Sequence, residues 1–257
     1  MAPIATVAGF NLTPVKSTAL QHPQTIDLRV DGAVGDRRFV FARDDGSRLH
    51  GISKAPLMPI ISTWDRDRER LRLRVPQGTE VEGDARPTGP PTAIDLYDRP
   101  VMGQLVDPAF AEAVHEVDPT LALFRIVEPE YAGGGHRASI VSLASVAEVA
   151  RTGGGDELDP RRFRMLVELD GLDPFEEDTW SGAVVRVGAA TLRFGGRVPR
   201  CVMTTLHPDT GVQDVDTLAM LAVDRSIDGK LRLGVYGDVL EPGVIGLGDP
   251  VEVLATV

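Results

Sequence analysis

Cysteine is nearly absent from this sequence of 257 residues, which contains Cys201 alone. A single cysteine cannot form an internal disulfide, and it cannot supply the several thiolates that hold an iron–sulfur cluster. The sequence also lacks any run close to the about 20 apolar residues that cross a bilayer, and its N-terminus lacks the basic and apolar parts of a secretory signal. We therefore expect a cytoplasmic protein that acts without a membrane.

Positive charge is scarce as well. The chain has 27 lysines and arginines against 38 aspartates and glutamates, which gives a formal net charge of -11. Nucleic-acid binding needs a basic surface that neutralises phosphates, so this composition argues against it. Any anionic ligand must instead be bound by a local cluster of arginines and lysines.

Alternation of apolar and polar residues, the pattern of half-buried strands, recurs along the chain. It is found over residues 36–43, 71–75, 184–187, 191–194 and 250–254. Helical periodicity is confined to three short segments, residues 110–117, 142–151 and 216–225. In the second segment Ser145 and Glu148 fit a capping box. The sequence predicts a mainly β (α+β) fold with a few peripheral helices.

An internal boundary is indicated by residues 83–92, which are rich in proline and glycine and are not expected to continue a central strand. We predict a small N-terminal β domain over residues 1–92 and a larger β-barrel-like domain over residues 93–257. The alternative is a long surface loop within one domain. The glycine triplets at 133–135 and 153–155 do not lead from a strand into a helix, so they favour loops over a dinucleotide-binding turn.

Cys201 lies in a segment that is free of acidic residues from Ser181 to Leu206 and contains Arg186, Arg193, Arg197 and Arg200. Neighbouring cations favour the thiolate, which is the form that attacks an electrophile or binds a metal. The alternative is a buried cysteine that acts only as a small apolar side chain. The arginine-rich surroundings favour the reactive thiolate.

The segment around Cys201 reads RVPRCVMTTLHPDTG over residues 197–211. It resembles the signature of the MOSC family, the domain named after the C-terminus of molybdenum cofactor sulfurases, although His207 stands where an aspartate is more usual. Residues 161–164 (RRFR), 175–180 (FEEDTW) and 248–251 (GDPV) are similar to further MOSC segments in the same order.

The N-terminal part resembles the β-barrel domain that precedes MOSC in many members of the family. Residues 13–17 (TPVKS) and 35–39 (GDRRF) are similar to two signatures of that domain. The resemblance therefore implies a MOSC-associated β domain over residues 1–92 and a MOSC domain over residues 93–257.

The resemblance implies a molybdenum-cofactor protein similar to the mitochondrial amidoxime-reducing component and its bacterial relatives. Cys201 would be the metal ligand and the catalytic residue, because a thiolate is a soft, electron-donating ligand. Side chains that bind the pterin and its phosphate would be Lys16, Ser17, Arg37, Arg38, Arg164, Arg200 and Thr204. Phosphate is bound well by lysine, by forked guanidinium groups and by hydroxyl donors. The alternative for Arg37 and Arg38 is that their side chains lie on the solvent-exposed face of a hairpin and bind no cofactor.

One departure from the family pattern concerns the two residues after Arg164. Members often continue with Pro-Asn, whereas this chain has Met165 and Leu166. Leucine cannot replace the hydrogen bonds of an asparagine amide, so the cofactor contacts are expected to differ here.

The resulting functional prediction is a molybdenum-dependent oxidoreductase that reduces N-hydroxylated or N-oxide substrates. Electrons would come from a separate ferredoxin-type or flavoprotein reductase, because the chain has neither cluster cysteines nor a flavin motif. Three alternatives remain: a sulfur carrier or sulfurtransferase with a persulfide on Cys201, a non-catalytic carrier of molybdenum cofactor, and an enzyme that uses the scaffold for other sulfur or nitrogen chemistry. Sulfur transfer would need a partner, since no pyridoxal-phosphate domain is present.

Overall fold

A computed structural model describes residues 3–76, 78–96, 99–128 and 136–255 of the chain. The protein is mostly β, with 45% of residues in strands and 17% in helices. The fold class predicted from the sequence is confirmed. In the described part of the chain, every helix is too short or too polar to span a bilayer.

The strands follow one another along the chain with short connections. They are β1 (Ala5–Phe10), β2 (Thr25–Arg29), β3 (Gly32–Ala33), β4 (Phe39–Arg43), β5 (Ile61–Asp65), β6 (Arg70–Arg74), β7 (Glu80–Asp84), β8 (Thr88–Leu96), β9 (Arg99–Leu105), β10 (Leu121–Glu128), β11 (Ala138–Ser142), β12 (Val167–Asp170), β13 (Val184–Val187), β14 (Ala190–Pro199), β15 (Ser226–Ile227), β16 (Lys230–Glu241), β17 (Gly243–Gly246) and β18 (Pro250–Ala255).

Helical elements are short and lie between the strands. The α-helices are α1 (Ala109–Ala113), α2 (Leu143–Thr152) and α3 (Thr217–Ala222). The 3₁₀ helices are η1 (Gly51–Leu57), η2 (Pro160–Phe163), η3 (Glu176–Trp180) and η4 (Val202–Thr205).

A closed barrel of seven strands forms the larger part of the protein. Its strand order is β11-β12-β1-β18-β13-β14-β16, and β16 pairs back to β11 to complete the ring. Closure leaves no unpaired barrel edge, which protects the strands from pairing with other chains. Apolar side chains fill the interior, among them Phe10, Trp180 and Phe194. The first strand of the chain, β1, is therefore a barrel strand between β12 and β18.

A second core lies beside the barrel. The four-stranded sheet β4-β10-β9-β8 and the three-stranded sheet β5-β6-β7 surround it, and Phe39, Leu71 and Phe110 are buried there. The break expected at residues 83–92 is the start of β8, an edge strand with a bulge between Thr88 and Thr92. Proline is tolerated at an edge and at a bulge because no ladder hydrogen bond is needed there. The division predicted between residues 92 and 93 thus lies inside a strand.

The three predicted helices are present with different ends and a different cap. The segment 142–151 forms α2, but its N-cap is Ser142, whose hydroxyl accepts from the Ala144 N–H at 3.2 Å. The capping box predicted at Ser145 is wrong, because that buried hydroxyl donates to Glu177 at 2.7 Å. Gly153 ends α2 where a Cβ would lie 2.4 Å from the Met220 side chain. The glycine triplet at 133–135 lies outside the described residues.

Candidate functional site

The segment of residues 13–18, here called the Lys16 loop, joins β1 to β2 and is fixed by a buried group of hydroxyls. Thr13 and Thr18 share a hydrogen bond at 2.7 Å, and both contact the Ser62 hydroxyl, at 3.1 and 2.9 Å. All three side chains are fully buried. The Lys16 N–H donates to the Phe39 carbonyl at 2.8 Å. This framework holds Lys16 and Ser17 in a defined position, with Ser17 in the left-handed conformation at φ 74°.

Arg37 and Arg164 connect the Lys16 loop to the barrel. The Arg37 N–H donates to the Thr13 carbonyl at 2.7 Å, and its guanidinium donates to the Arg164 carbonyl at 2.9 Å. The Arg164 guanidinium in turn donates to the Thr18 carbonyl at 2.6 Å. Both arginines have positive φ, 48° and 51°, a conformation that costs energy for residues with a Cβ and often marks functional sites. Asp36, almost fully buried, forms an ion pair with Arg37.

Lys16 is the clearest electrostatic signal in this region. Burial, followed by the nearby charges of Arg37 and Arg164, lowers the pKa of Lys16 to about 7. Arg48 acts in the same direction, whereas Asp36 opposes the shift. An amine held among guanidinium groups is destabilised in its charged form unless an anion is bound nearby. The cluster is therefore suited to bind an anion.

This pKa gives a testable pH dependence. A bound anion stabilises charged Lys16, so anion binding should weaken as the pH rises through about 7 and Lys16 of the anion-free protein loses its proton. Sulfate is a suitable probe because its own charge is constant there. We expect its Kd, measured by calorimetry, to rise roughly threefold or more between pH 6 and 8.5. The Lys16→Met variant should bind sulfate more weakly with little pH dependence, and Lys230→Met, at an exposed position, should behave as wild type. An unchanged pH profile in Lys16→Met would contradict the assignment.

Cys201 follows β14 and immediately precedes η4, and its side chain is exposed. The alternative of a buried, purely structural cysteine is therefore excluded. Thr204, which is buried, donates its hydroxyl to the Cys201 carbonyl at 3.0 Å and shares a second hydrogen bond with Thr217 at 2.6 Å. These contacts fix the backbone around the thiol.

Arg200 connects Cys201 to the segment that carries Arg164. Its guanidinium donates to the Phe163 carbonyl and contacts the Met165 sulfur at 3.2 Å. The same group lies 5.2 Å from the centre of the Phe163 ring. Arg200 therefore contacts the residues on both sides of Arg164. The Lys16 loop, Arg37, Arg164 and the segment leading to Cys201 meet in one region.

Two bidentate ion pairs hold the loop that follows η4. Arg161 contacts Asp209 at 2.9 and 3.0 Å, and Arg162 contacts Asp214 at 2.8 Å through each of two nitrogens. Planar guanidinium–carboxylate pairs of this kind fix orientation as well as distance. Arg161 and Arg162 thus position the two ends of the turn that follows Cys201 and η4.

The N-terminal part also packs against this turn. Gly211, at φ 73°, approaches η1 so closely that a Cβ would lie 2.2 Å from the Ala55 carbonyl oxygen. Glycine is needed there both for the left-handed conformation and for the contact. A Cβ on Gly51, at the start of η1, would lie 3.2 Å from the side chain of Val202, the residue after Cys201.

The predicted site residues do not all face the same region. Lys16, Arg37 and Arg164 come together, and Arg200 is engaged by the segment 163–165. Arg38 differs, because its guanidinium contacts Asp31 at 3.0 Å and lines a separate cavity. Arg37 is in the left-handed conformation at φ 48°, before β4 begins at Phe39, and the side chains of Arg37 and Arg38 have different surroundings.

Sequence reasoning missed the residues that support the site. These are Thr13, Thr18, Asp36, Arg48 and Ser62. Thr13 is the first residue of the TPVKS segment and Thr18 follows it directly, which is a usable signal, since hydroxyls commonly fix loops by local hydrogen bonds. Ser62 and Arg48 approach only through the fold and give no such signal.

The side chains of this region suit an anionic cofactor that already contains its metal. Among the described residues there is no group of three or more histidine, cysteine, aspartate or glutamate side chains arranged to hold a metal ion. A metal near Cys201 would therefore have this thiolate as a protein ligand and obtain the others from its cofactor. The cationic cluster of Lys16, Arg37 and Arg164 provides the complementary charge for a phosphate.

The sequence of this chain is similar to those of MOSC-domain proteins. Residues 129–252 match the model of the MOSC domain. The chain is 27% identical over 287 residues to mitochondrial amidoxime reducing component 2 of Bos taurus, covering 97% of this chain and 80% of that protein. It is 30% identical over 137 residues to the Homo sapiens protein of the same name, covering 50% of this chain and 39% of that protein.

A further match is the molybdenum cofactor sulfurase of Oryza sativa subsp. japonica, with 32% identity over 110 residues, 39% of this chain and 13% of that protein. Among solved structures, the YUAD protein from Bacillus subtilis matches with a TM-score of 0.48 and 18% identity, covering 97% of this chain and 94% of that chain.

Fold and site define a β-barrel protein in which a cationic cluster is connected, through the segment 163–165 and Arg200, to the segment that carries an exposed thiol. Residues 129–252 of the chain match the MOSC domain, the domain that defines the MOSC family. This family is related to the biology of the molybdenum cofactor.

Proposed function

We propose that this protein binds a molybdenum cofactor and is an oxidoreductase that reduces N-hydroxylated or N-oxide substrates. The observation that carries the proposal is the meeting of the Lys16, Arg37 and Arg164 cluster with the segment of exposed Cys201. The full-length similarity to amidoxime reducing component 2 supports the same reaction class.

The residues of the chain would have two tasks, which are to bind the anionic part of the cofactor and to ligate its metal. Lys16, Arg37 and Arg164 would bind the phosphate of the cofactor, and Ser17 would add a hydroxyl donor. The Cys201 thiolate would bind the metal, for which a soft sulfur ligand is suited. Arg200 and Thr204 would act as positioning residues, because their contacts fix the backbone on either side of Cys201.

When bound, the cofactor would supply the two-electron chemistry that removes oxygen from the substrate as water. Electrons would come from a separate ferredoxin-type or flavoprotein reductase. The exposed position of Cys201 would leave the reacting centre open to a small-molecule substrate.

A second candidate is sulfur transfer through a persulfide on Cys201. An exposed thiol is accessible to a sulfur-donating partner, and the similarity to a molybdenum cofactor sulfurase favours this class. A non-catalytic carrier of molybdenum cofactor would use the cationic cluster without turnover.

Metal and sulfur analysis of freshly purified protein distinguishes these functions. Molybdenum near one equivalent, pterin fluorescence after oxidation, and reduction of an N-hydroxylated substrate with an artificial electron donor would support the oxidoreductase. Metal-free protein that carries cyanide-labile sulfur would overturn it in favour of sulfur transfer. Molybdenum-loaded protein inactive toward every N-hydroxylated and N-oxide substrate would favour the carrier.

Arg164 provides a test of the phosphate site. The Arg164→Leu variant loses the guanidinium while its neighbours keep the backbone, so we expect roughly a tenfold loss of cofactor retention through gel filtration, with an unchanged circular dichroism spectrum. The matched control is Arg193→Leu, because Arg193 is an exposed arginine of β14. Full cofactor content in Arg164→Leu would show that Arg164 does not bind the cofactor.

A further inference from the structure

A second cavity lies on the side of the protein to which Arg38 points. Its volume is about 360 Å³, and it lies between the β2–β3 hairpin, the start of β4, the end of β5 and β10. Trp64 lines it, so we call it the Trp64 cavity. It is separate from the cluster of Lys16, Arg37 and Arg164, none of which lines it.

Arginines from four separate segments converge on this cavity. They are Arg29, Arg38, Arg66 and Arg125. Asp31 is the one carboxylate in the described lining. Such convergence of cations is unexpected on a chain with a net charge of -11. It is not a local run of charge, because the four positions span almost a hundred residues of sequence.

Carboxylates offset part of this charge. Arg29 pairs with Asp27 at 2.7 Å, Arg38 with Asp31 at 3.0 Å and Arg125 with Glu69 at 2.6 Å. For Arg66, which is exposed at the rim, no carboxylate of the described residues lies within ion-pair distance. Arg66 therefore brings a cation to the rim of the cavity in addition to these three ion pairs.

Trp64 forms a fixed wall of the cavity. The ring is held in place by Phe39, edge to face at 5.2 Å, and by the guanidinium of Arg125 at 5.2 Å. Its indole nitrogen is buried and closed to solvent, so a ligand in the cavity would contact the ring and not the N–H. A planar or apolar group packs well against such a ring.

We propose that the Trp64 cavity binds a small organic anion, namely a carboxylate or phosphate group attached to an apolar or planar body. Guanidinium groups would contact the oxygens, and the Trp64 ring would pack against the body of the ligand. Val34, Ile126 and Pro242 line the cavity as well and would pack against the body of the ligand. The volume is within the range of small-molecule sites. This site goes beyond the proposed molybdenum chemistry and does not depend on it.

The test uses the full chain with the Lys16→Met substitution, which weakens anion binding at the Lys16 cluster and keeps the two sites distinguishable. Benzoate, phenyl phosphate and neutral benzyl alcohol are titrated in low salt, with calorimetry and tryptophan emission as readouts. The chain has two tryptophans, and Trp180 is buried in the barrel, so a ligand-induced change is assigned to Trp64. We expect saturable binding of at least one anion, and the preferred one identifies the head group.

Two variants test the residues. Trp64→Phe should remove the emission change, because Trp64 is the tryptophan that lines the cavity, and should weaken binding, because the smaller ring covers less of the ligand. Arg66→Ala should raise the Kd of the preferred anion roughly threefold or more. Arg68→Ala is the matched control, because Arg68 is an exposed arginine two positions away that does not line the cavity. No saturable anion binding, equal binding of benzyl alcohol, or equal weakening by Arg66→Ala and Arg68→Ala would each overturn the proposal.

Discussion

Replacing Cys201 by serine is expected to reduce molybdenum content about tenfold or more and to abolish reduction of N-hydroxylated substrates. Substitutions in the outer shell of metal sites typically cost about 10- to 100-fold in metal affinity, so loss of the thiolate ligand should cost at least as much. Serine keeps nearly the same volume but offers a hard hydroxyl in place of a soft sulfur. Molybdenum per polypeptide and turnover with an artificial electron donor measure the two effects.

The fold should tolerate this change. Cys201 is exposed, and exposed substitutions away from special backbone features usually change the free energy of unfolding by about 0.5 kcal/mol or less. The Cys201→Ala variant separates ligation from packing, because alanine lacks both the thiol and its volume. Alkylation of the thiol should be fast in cofactor-free protein and slow in loaded protein. Normal turnover and normal molybdenum content in Cys201→Ala would remove the basis of both the oxidoreductase and the sulfur-transfer functions.

Several parts of the fold could be predicted because local patterns determine them. The alternating runs at 71–75 and 184–187 correspond to β6 and β13, since period-two burial is a property of the strand itself. The helix near 143–152 follows from its apolar periodicity. The pairing of β16 with β11 that closes the barrel could not be predicted from local patterns, because it joins strands about a hundred residues apart.

The candidate site was predictable to the extent that residues lie within motifs. Arg37 and Arg164 are 127 residues apart, yet both were identified from the segments that contain them, and the structure joins them by a hydrogen bond. The direction of a side chain was not predictable from the motif. Arg38 is adjacent to Arg37 but lines the Trp64 cavity, and the difference depends on how residues 36–39 enter β4.

The FEEDTW segment shows a further limit of motif reasoning, because its acidic residues serve the framework. Glu177 accepts hydrogen bonds from the Ser142 N–H at 3.2 Å and from the Ser145 hydroxyl at 2.7 Å, and burial raises the pKa of Glu177. Asp178 contacts Arg225 at 2.5 Å and Arg197 at 2.9 Å through one carboxylate oxygen. Arg197 belongs to β14, the strand that leads to Cys201.

Asp178 is therefore expected to be a sensitive acidic position for stability. The side chains of Asp178 and Arg225 are each only 7% exposed, and the Arg225 guanidinium also lies 4.0 Å from the centre of the Phe175 ring. Removing one partner of a buried ion pair leaves an uncompensated charge in a region of low dielectric constant, which typically costs about 3–5 kcal/mol. We expect Asp178→Ala to lower the free energy of unfolding by about this amount in urea denaturation.

Two further variants assign the cause of that loss. The control is Asp224→Ala, because Asp224 is exposed and directly precedes Arg225. This substitution should change the free energy of unfolding by about 0.5 kcal/mol or less. The double variant Asp178→Ala with Arg225→Met removes both buried charges and should recover part of the loss, because an apolar side chain can replace a buried ion pair. If Asp178→Ala were no less stable than Asp224→Ala, the carboxylate would not hold β14 in place. In that case Asp178→Ala should also leave the alkylation rate of the Cys201 thiol unchanged.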